Sequence, residues 1–187
     1  MVAVDSLPRL SLISGPASGG KSRWAEHLAS RSGLAVVYLA TGPDLPGDSA
    51  WQERLERHRR RRPAGWACRE VGGDLATALQ QLEPGQVALV DSLGTWVAAH
   101  LDSAEAAWQH LTAALLVALE CCAGPVLLVV EETGWGVVPA SAAGGLFRQR
   151  LGELQQRLGQ HADAAWLVLQ GRALDLHRLG LPLPPDA

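Results

Sequence analysis

The sequence predicts a three-layer α/β domain with helices on both faces of a mainly parallel sheet, and two observations carry that prediction. Five short, nearly all-apolar runs are bounded by Gly, Pro or Asp, as strands buried on both faces of a parallel sheet are. Longer stretches of helical character lie between them, so strand and helix alternate along the chain.

The first strand runs from Arg9 to Ser14 and leads through a Gly-rich turn into the helical stretch Lys21 to Arg31. Ala35 to Ala40 is the second strand; the helical stretch Ala50 to Arg62 follows and is stopped by Pro63. Leu75 to Gln81 reads as a short helix, Val87 to Asp91 as a strand and Ala104 to Cys122 as a long helix. Val126 to Glu131, the helix Leu146 to Leu158 and the strand Ala165 to Gln170 complete the pattern. There is no internal repeat and no domain boundary, so residues 1–187 read as a single domain with the Leu/Pro-rich segment 179–187 as a loosely attached tail.

Composition sets the outer limits. With 48% hydrophobic and 19% charged positions, the 187 residues can bury a sizeable core and match neither a disordered nor a collagen-like chain. Apolar runs such as Ala113 to Leu119 fall far short of the ~20 residues of a membrane span, and nothing reads as a signal peptide; the expectation is a cytoplasmic protein with no membrane span. Cys68, Cys121 and Cys122 form neither a disulfide framework nor a zinc site. A formal net charge of −3 gives no reason to expect a nucleic-acid partner, although six arginines fall between Arg54 and Arg62. Of the 16 basic residues, 15 are arginine and the one lysine is Lys21. A lysine kept in so arginine-biased a chain points to a role arginine does not fill.

Gly15-Pro16-Ala17-Ser18-Gly19-Gly20-Lys21-Ser22 matches GxxxxGK[ST] between the first strand and a helix, the context a phosphate-binding P-loop requires. Glycines let backbone N–H groups turn inward around a phosphate, and the helix N-terminus adds partial positive charge. Lys21 would reach the β- and γ-phosphates, and Ser22 would ligate Mg²⁺. This makes the fold class a three-layer P-loop NTPase fold of the RecA-like kind. Such a site also needs an acid at the end of a buried strand for the magnesium shell, which Asp91 supplies; the lesser alternative is that Asp91 simply caps the next segment, and Glu131 and Glu132 are alternative acids.

The segment from Trp51 to Pro63 places Trp51, Leu55 and His58 on one helical face. Its arginines read in three ways: a solvated face with Glu53–Arg57 and Glu56–Arg60 pairs, a nucleic-acid surface, or a triphosphate site. In the last, guanidinium groups disfavour the imidazolium of His58 and leave a neutral, nucleophilic ring. His27, His100, His110, His161 and His177 show no ligand spacing and receive no role, and the seven tryptophans read as core and interface residues.

Taken together, these motifs resemble one family: the bifunctional adenosylcobinamide kinase/adenosylcobinamide-phosphate guanylyltransferases of cobalamin biosynthesis. The resemblance covers roughly Leu10 to Leu174. It rests on the P-loop with Ser22-Arg23-Trp24-Ala25-Glu26, on Val37-Tyr38-Leu39-Ala40-Thr41, and on Arg54-Leu55-Glu56-Arg57-His58-Arg59 with Arg62-Pro63, Trp66 and Glu70. Asp91-Ser92-Leu93 with Trp96, Glu132-Thr133-Gly134-Trp135-Gly136-Val137-Val138-Pro139, and Phe147-Arg148, Gly152 and Gln156-Arg157-Leu158 complete it. The chain departs from the family pattern at Ser18-Gly19, around Ser49 to Trp51, and at Ala99, Glu131, Ser141 and Ala142.

The resemblance implies two reactions. A nucleoside triphosphate, ATP or GTP, phosphorylates adenosylcobinamide with Lys21 and Mg²⁺ at the transferring group. His58 then takes GMP from GTP and passes it to adenosylcobinamide phosphate, giving adenosylcobinamide-GDP. Catalytic roles thus fall on Lys21 and His58, metal binding on Ser22 and Asp91, and nucleotide contacts on the P-loop, Thr41, Gly42, Arg59, Arg62, Glu70 and Asp91. The resemblance also implies a homotrimer. A guanylyltransferase without the kinase step, a GTP-binding regulatory protein and a generic small-molecule P-loop kinase remain alternatives on the sequence.

Overall fold

The computed structural model describes residues 7–43, 45–136 and 139–184; the side chains of Arg54, His58 and Arg61 lie outside the described set. Chain order gives β1 (Leu10–Gly15), α1 (Lys21–Arg31), β2 (Ala35–Ala40), α2 (Ser49–Arg61), β3 (Ala67–Glu70), α3 (Leu75–Gln80), β4 (Gln86–Asp91) and α4 (Leu93–Ala99). It continues with α5 (Glu105–Cys121), β5 (Val126–Glu131), α6 (Ala142–His161), β6 (Ala164–Leu169), β7 (Arg172–Asp175) and α7 (Leu176–Leu179). Among the described residues the strands form one sheet in the order β3-β2-β4-β5-β1-β6-β7, parallel except for the β6–β7 hairpin.

Alternation along the central strands divides the core in two. Leu10, Leu12, Val37, Leu39, Val90, Val126, Leu128 and Val130 face a layer that includes Leu79, Trp96, Leu115 and Leu154, from α3, α4, α5 and α6. Ile13, Val36, Tyr38, Val87, Leu89, Leu127 and Val129 face Ala25, Leu28 and Ala29 of α1. These are the three layers expected from the sequence, and all five expected strands are present. The expected helices are present as well, although α6 starts at Ala142, four residues before Leu146, with the Ser141 hydroxyl accepting from the Gly144 N–H as its cap.

Three features lay beyond the sequence reading. β3 is a four-residue edge strand with three exposed positions. α4 starts on a capping box formed by Ser92 and Thr95, with Thr where Glu or Gln is usual. β7 returns antiparallel after Gln170 and Gly171, both at positive φ (50° and 75°), as a two-residue type I′ hairpin turn requires. Of the tail, Leu179 is the last residue of α7, Leu181 and Leu183 are exposed, and residues 185–187 lie outside the described set.

One buried charge ties α6 to the segment that follows α4. The guanidinium of Arg150 on α6, with 3% of the residue exposed, donates to the carbonyls of His100, Leu101 and Ser103 just after α4. Arg150→Met, which keeps the aliphatic stem, is expected to lower unfolding free energy by about 3 kcal/mol in urea titration, because three carbonyls lose a charged donor.

In register, Glu70 pairs with Ala40, Ala40 with Asp91, and Gly15 with Glu131. The carboxyl ends of β3, β2, β4, β5 and β1 therefore share one edge, where open α/β sheets bind ligands.

Candidate active site

The glycine loop after β1 is shaped by close contacts. Gly15 has φ 150°, and a Cβ there would collide with the Val168 carbonyl oxygen on β6. At Gly19 a Cβ would lie 2.9 Å from the Pro16 carbonyl oxygen and 3.1 Å from that of Val168. Gly20 (φ 102°) is the N-cap of α1, and Ser18 adopts φ 57°. Lys21 is 7% exposed and donates from Nζ to the Pro16 carbonyl at 2.8 Å, which folds its ammonium over the loop. Ser18, Gly19, Gly20, Lys21 and Ser22 line a cleft of about 580 Å³, within the range of small-ligand sites; Gly15, Pro16 and Ala17 build the loop behind it.

Asp91 reaches the same cleft from the end of β4 and also lines a second one next to it. Its carboxylate accepts from the Tyr38 hydroxyl at 2.6 Å. Burial, followed by the charge of Asp91 and the hydrogen bond to it, raises the Tyr38 phenol far above its ordinary value, so it stays protonated and keeps donating. Over the Tyr38 ring, 3.5 Å from its centre, lies the Arg62 guanidinium, which also donates to the Cys68 thiol at 3.1 Å.

The second cleft lies between the sheet edge and α2. Trp51, Leu55, Arg59 and Arg62 line it from the α2 side, and Tyr38, Gly42, Pro43, Glu70, Asp91, Ser92 and Thr95 from the sheet side. Asp48 caps α2 by accepting from the Trp51 N–H at 2.9 Å, and the Trp51 indole donates to the Pro43 carbonyl at 2.8 Å. A Cβ on Gly42 would meet the Trp51 ring at 2.9 Å, so glycine lets the indole lie flat on the backbone. Arg59 and Glu70 form an ion pair at 2.8 Å, both more than half exposed. Arg57, on another side of α2, lines the phosphate cleft.

Of the remaining expected site residues, Thr41 is buried; its hydroxyl bonds to the Ser92 carbonyl and the Thr95 hydroxyl, both at 2.6 Å. It braces the edge and does not line either cleft. Glu131 lies in the phosphate cleft, but its carboxylate is engaged by the Ser92 hydroxyl and the Gly94 N–H, which holds the start of α4. Glu132 is engaged by the Gly134 N–H. Between the alternative acids, Asp91 is thus the one shared by both clefts. His58 lies on α2; its side chain, and Val137 and Val138 of the Gly-Trp-Gly block, lie outside the described residues. Tyr38, Trp51, Leu55 and Thr95 received no site role from the sequence, and Arg57 was read only as one of the clustered arginines that could form a triphosphate site. Only the lateral register of β2, β4 and α2 brings them together, and no local signal states that register.

Comparison with known proteins agrees with this geometry. Residues 11–176 match the family described as cobinamide kinase / cobinamide phosphate guanyltransferase. The bifunctional adenosylcobalamin biosynthesis protein CobP of Pseudomonas aeruginosa is 37% identical over 169 residues, covering 88% of this chain and 95% of that protein. The protein CobU of Escherichia coli, of the same description, is 33% identical over 175 residues, covering 86% and 95%. Among solved structures, an ATPase of a type III secretion system in pathogenic bacteria superposes with a TM-score of 0.55 at 12% identity, over 94% of this chain and 59% of that one; it shares the fold. By matched length and identity, the chain belongs to the cobinamide kinase / cobinamide phosphate guanyltransferase family.

Proposed function

We propose that this chain phosphorylates adenosylcobinamide from a nucleoside triphosphate and then transfers GMP from GTP to the resulting phosphate through a covalent intermediate on His58. The observation that carries the reading is the register of α2. At about 100° per residue, position 58 falls between Arg57, which lines the phosphate cleft, and the Trp51–Leu55–Arg59–Arg62 stripe, which lines the neighbouring cleft. A GTP with its base in one cleft and its outer phosphates in the other has its α-phosphate at that junction. A ring nitrogen of His58 attacks the α-phosphorus, the bond to the bridging oxygen breaks, and pyrophosphate leaves. A phosphate oxygen of adenosylcobinamide phosphate then attacks the same phosphorus, breaking the P–N bond and freeing the histidine. Arg57, Arg59 and Arg62 stabilise the charge on the phosphorus-bound oxygens.

The donor set suits Mg²⁺. Ser22 and Asp91 bring hard oxygens to the phosphate cleft, and no cluster of three or more His, Cys, Asp or Glu stands ready as a metal cage among the described residues. This fits an ion that keeps its waters and takes one or two protein oxygens plus phosphates. When bound, it would offset charge on the β- and γ-phosphates.

Glu70, which lines the α2 cleft together with Asp91, is the carboxylate that reads guanine, because it can accept from both N1–H and the exocyclic amine. Glu70→Ala is expected to cut the preference for GTP over ITP, which lacks that amine, by about 10- to 150-fold, as the loss of one hydrogen bond to a charged group does. The ratio of labelling efficiencies of the two nucleotides reads this directly.

The test of the reading is incubation of the protein with Mg²⁺ and α-³²P-GTP, followed by a denaturing gel. Label that is acid-labile and alkali-stable identifies a phosphoramidate. No label despite GTP binding sinks the covalent mechanism.

A further inference from the structure

Two reactions at one phosphate loop raise a question of direction. A nucleotide based in the α2 cleft points its α-phosphate at position 58 and its outer phosphates across the loop. Phosphoryl transfer instead needs the γ-phosphate nearest the acceptor. The acceptor itself stays in place: the phosphate it gains in the first step must next lie against the GMP on α2.

A third cleft, of about 320 Å³, opens on the other side of the glycine loop. It shares Gly19, Gly20, Arg23 and Gly171 with the phosphate cleft, so the two adjoin at the loop. One wall is the first turns of α1, where the Trp24 and His27 rings stack at 5.3 Å and 21°. The other wall is the β6–β7 hairpin, with Val168, Arg172 and Ala173. Trp166 of β6 abuts Trp24 edge-on at 5.3 Å and braces that wall from behind. An aromatic pair flanked by two guanidinium groups beside a phosphate loop suits a stacked nucleobase. Among the described residues no carboxylate lines this cleft, so it lacks the paired acceptor oxygens that Glu70 can offer to a guanine N1–H and amine together.

From this adjacency we infer that the phosphate cleft is entered from two sides. The cleft formed by α1 and the β6–β7 hairpin takes the base of the phosphoryl donor, and the α2 cleft takes the base of the guanylyl donor. A purine nucleotide seated between His27 and Arg172 runs its phosphates the opposite way, from α1 toward Asp91 and α2. Its γ-phosphate then lies beside the acceptor position, where the hydroxyl oxygen attacks the γ-phosphorus and gives up its proton to water, the bond to the β–γ bridging oxygen breaks, and a nucleoside diphosphate leaves. The acceptor remains where it is while the donors alternate. This rests on the bifunctional reading above.

The experiment uses the whole protein carrying His27→Ala and Arg172→Ala together; both residues are exposed, so the core is untouched. Kinase activity toward adenosylcobinamide with γ-³²P-ATP is expected to show a KM for ATP raised about tenfold, with labelling by α-³²P-GTP changed less than twofold. In the wild-type protein, 8-azido-ATP is expected to mark the tryptic peptide from Trp24 to Arg31. Equal losses in both reactions, no loss in either, or photolabel confined to the peptide from Ser32 to Arg54 would overturn the two-sided arrangement. A wild-type protein lacking either reaction overturns the bifunctional reading itself, and the two failures are thereby distinct.

Discussion

Lys21→Met is expected to slow both reactions about 10²- to 10³-fold while leaving the fold intact. The substitution keeps the length and apolar stem of a side chain that is 7% exposed and removes only the charge and the donors. The ammonium lies over the loop on the Pro16 carbonyl, 2.8 Å away, screened from water and therefore effective on any phosphate that enters. Loss of one such preorganised group costs about 10²- to 10³-fold in rate, or about 3–4 kcal/mol. Both clefts that hold a base adjoin the phosphate cleft, so phosphorylation and labelling by α-³²P-GTP should fall together. Lys21→Arg should lose more than tenfold as well, since a planar guanidinium does not fit the point-like site of an ammonium. Unchanged labelling in the methionine variant would mean that GTP does not place its triphosphate on this loop.

Lys21 also shows why much of this protein is legible in its sequence. The loop motif spans eight consecutive residues whose backbone angles and Lys21–Pro16 hydrogen bond are local, so the string of residues carries most of the site; the approach of Gly15 and Gly19 to the Val168 carbonyl on β6 is the part that folding adds. The central strands are legible for a related reason: burial on both faces demands apolar residues at every position, as in Val126–Glu131. β3 lies at the sheet edge and obeys no such demand, and Ala67-Cys68-Arg69-Glu70 has neither alternation nor apolar run to mark it. α4 holds Gly94, Thr95 and Val97, poor helix formers, and is kept by its cap and by Glu131 from the next strand.

The site divides the same way. Asp91 was legible because it ends a buried strand, but the surroundings that set it apart from Glu131 were not: Ser92 and Gly94 engage Glu131, and Tyr38 donates to Asp91 from the adjacent strand. Ser141, one of the departures from the family pattern, caps α6. Arg62 illustrates the limit most plainly: in the sequence it is one of six clustered arginines, and only folding sets it over Tyr38 while Arg57 faces the other cleft.

His58→Ala is expected to remove every trace of GMP label while adenosylcobinamide phosphate still forms, within about threefold of the wild-type rate, and accumulates. The variant should fold, because α2 is capped by Asp48, buries no described residue fully, and alanine favours a helix more than histidine does. The expected result separates the two reactions at a single residue, since phosphorylation needs the loop and its lysine but no nucleophile on α2. Label that persists in the variant must sit on another residue, and peptide mapping locates it. The informative location is His27, which lines the cleft on the other side of the loop. GMP found there would move the nucleophile across the loop and exchange the roles of the two base clefts, because the α-phosphate always lies nearest the base that carries it.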